Sequence, residues 1–270
     1  MGIAAGEYCE STVEMFCGYY LRCGRMAVDS LEECRETFLE ACNGRYEPHY
    51  VALEERGELQ LSAEGIEACA AHLGSVECSQ QVFDLDGPCG SMWQGLVPTG
   101  GACGAGIESF VCDSASTCVL DLSLCGTCEP AVGEGQSCGN GVRCTPETDC
   151  VDDVCVRRGL PGDPCDPAPC VLGTSCEAGL CAADEIVGLG VPCDASHDCQ
   201  YRAACVGGVC VKAGLYGDPC SATEPCASGF CDGTTCAPLR EDGAACDGAN
   251  QCVSGLCDGA TCGALPGPCF

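Results

Sequence analysis

Large apolar side chains are scarce in this 270-residue sequence. Leucine, isoleucine, valine and phenylalanine together number 50, there is one tryptophan, and the formal net charge is −29. Such a chain has too little apolar surface to offset the entropy lost on ordering, unless covalent links reduce that entropy. No apolar run approaches the roughly 20 residues that cross a bilayer, so we expect no membrane span.

Basic residues are also scarce. Forty acidic residues face ten arginines and one lysine, Lys212. Binding to nucleic acid or to an anionic membrane requires a basic stripe that neutralises phosphates, and the sequence has none. We therefore expect neither partner, and we interpret the acidic excess as a charge that keeps the protein soluble.

Cysteine is abundant, with 34 residues. In a chain with so little apolar content, this predicts a disulfide scaffold, which forms in an oxidising compartment. The expected fold class is small and disulfide-rich, in a secreted or cell-surface protein. The opening Met1–Ala5 is too short and uncharged for a signal peptide. We therefore interpret the chain as a mature region from which a signal peptide has been removed.

Metal binding is the alternative use of so many cysteines. Thiolate clusters need closely spaced ligands, and the sequence has no adjacent cysteines, no Cys-x-Cys and one Cys-x-x-Cys. Residues 84–87, Asp-Leu-Asp-Gly, resemble the start of a calcium loop but lack its later ligands and its closing glutamate. We expect no cofactor, and calcium is the one alternative that the pattern leaves open.

Apolar residues recur at helical spacing in three segments of residues 1–88. The first contains Cys9, Val13, Phe16, Cys17 and Tyr20, the second Leu31, Cys34, Phe38, Ala41 and Cys42, and the third Ile66, Cys69, Ala70 and Leu73. Ser30 followed by Glu33 predicts a capping box at the second helix, and Ser62 is a candidate cap for the third. Gly24 and Gly44 are placed to end the first and second helices.

Cysteine spacing predicts that the first two helices form a pinned antiparallel hairpin. Cys9 and Cys17 enclose seven residues, and so do Cys34 and Cys42. Partners across an antiparallel hairpin have residue numbers with a constant sum, so Cys9 should pair with Cys42 and Cys17 with Cys34. Eight residues of helix rise about 12 Å, which lets both bridges form on straight helices. The pattern resembles the hairpins of coiled-coil-helix-coiled-coil-helix proteins, a resemblance that implies no function.

From residue 138 onward, the cysteines repeat in groups of four, which we call modules 1 to 5. The modules start 26 to 28 residues apart. Their cysteines are Cys138, Cys144, Cys150 and Cys155 in module 1; Cys165, Cys170, Cys176 and Cys181 in module 2; Cys193, Cys199, Cys205 and Cys210 in module 3; Cys220, Cys226, Cys231 and Cys236 in module 4; and Cys246, Cys252, Cys257 and Cys262 in module 5. Each module begins with a turn-forming glycine, separated from the first cysteine by two residues.

Cysteine spacing alone does not determine which cysteines pair within a module, because four cysteines allow three connectivities. Analogy with other tandem two-disulfide modules favours first to third and second to fourth. Residues 103–128 look like a divergent earlier unit. The chain then divides into a helical domain at 1–88, a divergent module at 89–135, and repeats at 136–158, 159–186, 187–213, 214–239 and 240–270, the last with the incomplete start of a further module. Since each repeat would contact mainly its neighbours, we expect an elongated array of short β-hairpins and turns.

Two modules carry a family resemblance. Residues 226–236, Cys-Ala-Ser-Gly-Phe-Cys-Asp-Gly-Thr-Thr-Cys, and residues 252–262, Cys-Val-Ser-Gly-Leu-Cys-Asp-Gly-Ala-Thr-Cys, resemble the Dickkopf N-terminal cysteine-rich pattern. They are also similar to tandem repeats in secreted or lipid-anchored proteins of myxobacteria. The resemblance covers residues 130–270 and implies an extracellular cysteine-rich architecture. Nothing here matches the second cysteine-rich domain of Dickkopf proteins, so their antagonism of a Wnt co-receptor is not implied.

Patterns that could carry catalysis each have a structural interpretation. Residues 135–139, Gly-Gln-Ser-Cys-Gly, match a nucleophile elbow but lack the strand and helix that present its serine. Residues 125–128, Cys-Gly-Thr-Cys, resemble a thiol oxidoreductase motif but continue into a turn instead of a helix that would lower the thiol pKa. His49, His72 and His197 are scattered singly. We expect no catalytic residue and no enzyme.

The function expected is therefore non-enzymatic binding or adhesion outside the cell, with the array as a protease-resistant spacer and a protein or glycan as partner. A protease inhibitor is one alternative, with residues 139–143 as its rigid loop. A structural subunit of an extracellular assembly is another.

Cys269 follows the last complete module within Leu-Pro-Gly-Pro-Cys, the sequence of a leading turn. Thirteen cysteines precede Cys138, an odd number. If every module closes on itself, Cys269 either bonds to this upstream region over a long distance or is free or intermolecular.

Overall fold

The computed structural model of the chain describes residues 3–76, 78, 88–104, 110–120, 125–139, 142–145, 148–166, 169–171, 174–183, 185–194, 197–227 and 229–263. These residues form two compact units, one of residues 3–5 and 50–183, the other of residues 6–49 and 185–263. The candidate calcium loop at 84–87 and Cys269 lie outside the described residues. None of the described helices is long and apolar enough to cross a membrane.

The α-helices lie within residues 8–75, most strands follow them, and the class is small and disulfide-rich, as the composition predicts. The α-helices are α1 (Tyr8–Arg22), α2 (Leu31–Ala41), α3 (Glu47–Glu55) and α4 (Ala63–Ser75). Short 3-10 turns lie at Ala5–Glu7, Gly90–Met92 and Ala249–Gln251, and a π-helical turn at Cys42–Tyr46. The strands are β1 (Leu59–Leu61), β2 (Trp93–Gly95), β3 (Ala102–Gly104), β4 (Ser116–Leu120), β5 (Cys125–Val132), β6 (Arg143–Cys144), β7 (Thr148–Val151), β8 (Val154–Arg157), β9 (Thr174–Glu177), β10 (Leu180–Ala183), β11 (Glu185–Val187), β12 (His197–Cys199), β13 (Ala203–Val206), β14 (Val209–Lys212), β15 (Phe230–Cys231) and β16 (Cys236–Ala237).

Helices α1 and α2 form the antiparallel hairpin that the spacing predicts. Its bridges are Cys9–Cys42 and Cys17–Cys34. The whole apolar face predicted for α1 is buried, and Phe16 stacks on Phe38 of α2 with ring centroids 5.4 Å apart. Leu31 departs from the prediction, because it begins α2 and is exposed.

The end of α2 also differs from the prediction. The helical backbone does not stop at Gly44 but continues through the π-helical turn into α3. A neighbour explains this glycine, since a β-carbon at Gly44 would lie 2.7 Å from the Tyr216 hydroxyl. The glycine therefore marks a close approach of two segments and not a helix end.

Helix α4 belongs to the first unit. Its cap is Ser62, whose hydroxyl accepts the Gly65 N–H at 3.0 Å. Of the predicted apolar face, Ile66, Cys69 and Leu73 are buried, whereas Ala70 is exposed. Cys69 is bonded to Cys89, next to the 3-10 turn. Strands β1 and β2 pair antiparallel beside this helix, and Ser62 N–H donates to the Met92 carbonyl at 2.8 Å.

Every module has its first cysteine bonded to its third and its second to its fourth. The bridges are Cys138–Cys150 and Cys144–Cys155; Cys165–Cys176 and Cys170–Cys181; Cys193–Cys205 and Cys199–Cys210; Cys220–Cys231 and Cys226–Cys236; and Cys246–Cys257 and Cys252–Cys262. Residues 103–128 follow the same order, with Cys103–Cys118 and Cys112–Cys128. This is the connectivity that the analogy favoured.

A pair of backbone hydrogen bonds closes each module. The leading glycine donates its N–H to the carbonyl of the fourth cysteine at 2.7 to 2.9 Å, and that cysteine's N–H donates back to the residue after the glycine. The glycines are Gly135, Gly162, Gly190, Gly217 and Gly243 in modules 1 to 5 and Gly100 in the unit at 103–128, with φ between +76° and +93°. Because side chains disfavour this backbone region, the turn explains why each module begins with glycine.

Modules 3 to 5 contact the helical segment 6–49 of their own unit. The Tyr201 N–H donates to the Arg25 carbonyl at 2.8 Å, and the Tyr216 N–H donates to the Glu40 carboxylate at 2.9 Å. In module 5, the Val253 carbonyl lies 3.3 Å from His49 Nε2. Each of these modules therefore contacts the helical segment of its unit as well, because polar groups of that segment bond the module backbones.

Candidate functional site

Four tyrosines lie together where the helical segment meets module 3. Tyr8 and Tyr20 belong to α1, Tyr46 to the π-helical turn and Tyr201 to the module. Tyr20 and Tyr201 stack nearly parallel, with centroids 5.9 Å apart and planes inclined by 7°. Tyr8 and Tyr46 are close enough to Tyr20 to influence its pKa. We call these four residues the tyrosine seam.

Tyr201 is held by its backbone as well as by its ring. Its N–H donates to the Arg25 carbonyl, and its carbonyl accepts the Ala27 N–H at 2.9 Å. The neighbouring Gln200 amide donates to the Gly24 carbonyl at 2.5 Å. Since Cys199 is bonded to Cys210 just before this segment, the ring is fixed before any ligand arrives.

The seam has a buried part and an exposed part. Tyr8 and Tyr20 are buried, whereas Tyr46 exposes 41% and Tyr201 40% of its surface. Tyrosine has an apolar ring and a polar hydroxyl, a combination that favours binding surfaces. Two half-exposed tyrosines on a rigid frame are therefore a candidate binding surface.

The phenols of Tyr8, Tyr20 and Tyr201 are uncharged at physiological pH. Burial raises the pKa of Tyr201 to about 12, Tyr46 adds to the rise, and Arg45 opposes it. Burial also raises the pKa of Tyr8 and of Tyr20 well above the ordinary value. The side chain of Tyr201 is thus partly exposed, while Tyr20 stacks on its ring.

Charged groups of both signs border the exposed tyrosines. The Arg45 guanidinium lies over the Tyr46 ring, 5.8 Å from its centroid. Glu40 raises and Arg45 lowers the pKa of Tyr201, so one carboxylate and one guanidinium are near its hydroxyl. The surroundings thus offer a hydrogen-bond donor and an acceptor beside an aromatic face.

An ionic cluster fixes module 3 against the start of α2. Ser30 caps this helix by accepting the Glu33 N–H at 3.1 Å, and the Glu33 carboxylate accepts the Asp29 N–H at 2.8 Å. The same carboxylate pairs with Arg202 at 2.5 Å and with Lys212 at 2.6 Å. Burial raises the pKa of Glu33, but these partners outweigh it and hold that pKa below its usual range.

The two patterns that the sequence analysis interprets as structural lie in the framework of the cysteine-rich units. In the Cys-Gly-Thr-Cys segment 125–128, which lies in β5, Cys128 is bonded to Cys112 and Cys125 is also disulfide-bonded. Residues 135–139 form the leading turn of module 1, where Ser137 pairs with Val154. Both cysteines of the first segment are therefore oxidised.

Each of the three histidines has its own surroundings. His49 is near the Val253 carbonyl, and burial lowers its pKa. His197 lies 2.8 Å from Asp194 and 3.6 Å from Glu185, on the surface of module 3. His72 lies in α4 of the other unit.

Sulfur atoms cluster in the modules, but as disulfides. Three sulfurs lie within 4.8 Å of one another in residues 103–118 and in modules 1, 3, 4 and 5. None of the cysteines that the structure describes carries a free thiol. As disulfides, these sulfurs form the core of their module. In module 5, that core is Cys246, Cys252 and Cys262 with Cys257 packed against them.

The loop proposed for protease inhibition is a tight turn at its base. Gly139 and Val142 exchange both backbone hydrogen bonds at 3.0 Å. Arg143 is exposed but lies in β6, paired with Ala131 of β5. Residues 140–141 lie outside the described part of the chain.

Sequence reasoning did not find the tyrosine seam. The helical spacing predicts a buried Tyr20, whereas Tyr46 and Tyr201 belong neither to that spacing nor to the cysteine repeat. The available signal was compositional, since aromatic residues are 5% of the chain and one of the few beyond the helices is Tyr201. No protein-family model matches the chain, and neither a curated protein nor a solved structure does so.

Proposed function

We propose that this chain is a secreted or surface-tethered, non-enzymatic binding protein, and that the tyrosine seam is its binding surface. The observation that carries the proposal is the pair of half-exposed tyrosines, Tyr46 and Tyr201, on a frame held by disulfides. Aromatic side chains with few rotatable bonds supply contact area at a low entropic cost. The modules serve as a protease-resistant support for this surface.

The rigidity of the surface supports this proposal. Ligand binding is weakened when loops must be ordered first, and Tyr201 already has its backbone and ring fixed by Arg25, Ala27 and Tyr20. The disulfides, which fit an oxidising and non-cytosolic compartment, maintain this order where partners outside the cell are met.

The test is binding of the fluorescently labelled, oxidised protein to intact cells and to cell envelopes of the organism that encodes it. We expect saturable binding that falls at least severalfold in the double variant Tyr46→Ala/Tyr201→Ala. Leu256→Ala is the matched control, because Leu256 is an equally exposed apolar residue in module 5. Absence of saturable binding by the unaltered protein would refute the proposal.

The alternative functions are tested in parallel. Inhibition of trypsin or subtilisin at stoichiometric protein would favour an inhibitor and contradict this proposal. Filaments that form with rising protein concentration, measured by light scattering, would favour a structural subunit.

A further inference from the structure

We propose that the tyrosine seam binds a neutral carbohydrate, with a sugar ring stacked on the exposed face of Tyr201. This inference rests on the proposed function and names the ligand class of the same surface. Three properties of the surface carry it: an exposed aromatic face, a balanced local charge, and donors and acceptors at its border.

The aromatic face is available and rigid. Tyr20 covers part of one side of the Tyr201 ring, at a centroid distance of 5.9 Å, and 40% of Tyr201 remains exposed. A pyranose ring has an apolar face of C–H groups that matches a flat aromatic surface in size and polarity. Because Tyr201 is held by two backbone hydrogen bonds, stacking requires no reordering of the protein.

The local charge is balanced although the whole chain carries −29. Arg45 and Glu40 act on Tyr201 with opposite sign. Nearby, Arg202 and Lys212 pair with Glu33, and Lys212 also pairs with Asp29, so these scarce basic side chains are neutralised within the same unit. A strongly ionic ligand of either sign gains little long-range attraction at such a surface, whereas an uncharged polar ligand has no field to oppose it.

Hydroxyl groups of a sugar need both donors and acceptors on the protein. The Arg45 guanidinium has five N–H donors, and Glu40 offers carboxylate oxygens, one of which accepts the Tyr216 N–H at 2.9 Å. The ring of Tyr46, beneath Arg45 at 5.8 Å, supplies a second aromatic contact. This is the composition of a sugar site, with apolar contact in the centre and oriented polar groups at the edge.

The experiment is calorimetric titration of the oxidised full chain with cellohexaose, chitohexaose, mannohexaose and xylohexaose, and with a heparin oligosaccharide as the anionic probe. We expect binding to at least one neutral probe and none to heparin. Tyr201→Ala and Tyr201→Leu should each lower affinity roughly tenfold, the size expected when one aromatic contact is lost. Tyr201→Phe should keep affinity within about threefold, because phenylalanine preserves the aromatic face on which the sugar stacks. Leu256→Ala should bind as the unaltered protein does.

The variants are compared only after near-ultraviolet circular dichroism and non-reducing peptide mapping show a native fold. Tyr201→Leu keeps apolar volume and so guards against a misfolded alanine variant. Binding to heparin alone, or affinity for neutral probes that does not change in Tyr201→Leu, would overturn the inference. If no neutral probe binds but saturable envelope binding still depends on Tyr46 and Tyr201, the carbohydrate inference is wrong and the proposed function stands. If envelope binding is absent too, both are wrong.

Discussion

At the scale of single residues, Glu33 takes part both in the local cap of α2 and in an ion pair with a residue far away in sequence. The capping pattern of Ser30 and Glu33 predicts the start of α2, and the Ser30 hydroxyl does accept the Glu33 N–H. The same carboxylate also binds Arg202, which is buried and lies 169 residues away in sequence. No local pattern encodes that partner, because the contact depends on how module 3 packs against the helices.

We expect Glu33→Gln to lower the free energy of unfolding by about 2 kcal/mol, since it leaves a buried guanidinium without its counter-charge. The matched control is Glu14→Gln, which breaks the exposed pair between Glu14 and Arg35 and should cost less than about 1 kcal/mol. Urea unfolding with the disulfides intact measures both. Equal effects of the two substitutions would contradict the importance of burial.

The same cluster gives a direction for pH dependence. The pKa of Glu33 is lowered in the folded chain from its ordinary value of 4.5, so the folded state binds this proton less readily than the unfolded state. Its stabilisation is therefore complete above the ordinary pKa and is lost as the pH falls through the lowered, folded-state pKa. Stability of Glu33→Gln should consequently depend less on pH in the acid range than that of the unaltered protein.

At the scale of elements, residue spacing predicts the α1–α2 hairpin but not α3, the helix that follows it. The bridges Cys9–Cys42 and Cys17–Cys34 follow from equal spacing, because helix geometry places those residues at matching heights. Helix α3 was missed, since Gly44 resembles a helix stop and Pro48 lies just after the start of α3. The reason for that glycine is Tyr216, a residue of another element that local sequence cannot reveal.

Gly44→Ala should therefore destabilise the protein by about 1 to 2 kcal/mol, although alanine favours helices. The new β-carbon would lie 2.7 Å from the Tyr216 hydroxyl, and the Tyr216 ring is confined on another side by Gly229. Gly18→Ala is the matched control, because Gly18 lies in α1 with open space around its Cα. That control should stabilise by about 0.5 to 1 kcal/mol. Thermal unfolding measures the stability of both variants. A stabilising effect of Gly44→Ala would show that the Tyr216 side chain moves aside at little cost.

At the scale of the whole molecule, sulfur replaces the apolar core that the composition cannot supply. Module 4 buries one large apolar side chain, Phe230, under the Arg240 guanidinium. Burial of this ring stabilises the fold by about 2 to 3 kcal/mol, whereas each of the two bridges of the module stabilises it by about 3 kcal/mol. The repeat and its class were predictable because cysteine spacing is itself the framework. The packing of modules 3 to 5 on the helical segment was not predictable from the sequence, because single tyrosines and carboxylates determine it.

Removing one bridge, Cys220→Ser/Cys231→Ser, should unfold module 4 locally and leave modules 1 and 2 intact, because each module closes on its own cysteines. Hydrogen exchange followed by mass spectrometry measures this for each segment. Amides of residues 217–237 should lose protection, while those of residues 148–157 keep it. Loss of protection in both regions would show that the array folds as one cooperative body.

The closure of each module by its own glycine and fourth cysteine also bears on how such a chain can change over generations. A duplicated stretch of about 27 residues arrives with its own bridges and its own turn, so copy number can rise without rewiring any existing pair. Modules 3, 4 and 5 are different, since Tyr201, Tyr216 and Val253 each contact a fixed position on the helical segment. An insertion between any two of these modules would shift every later module away from the position on the helical segment that it contacts. Growth of the repeat is therefore tolerated ahead of module 3 and resisted between modules 3 and 5.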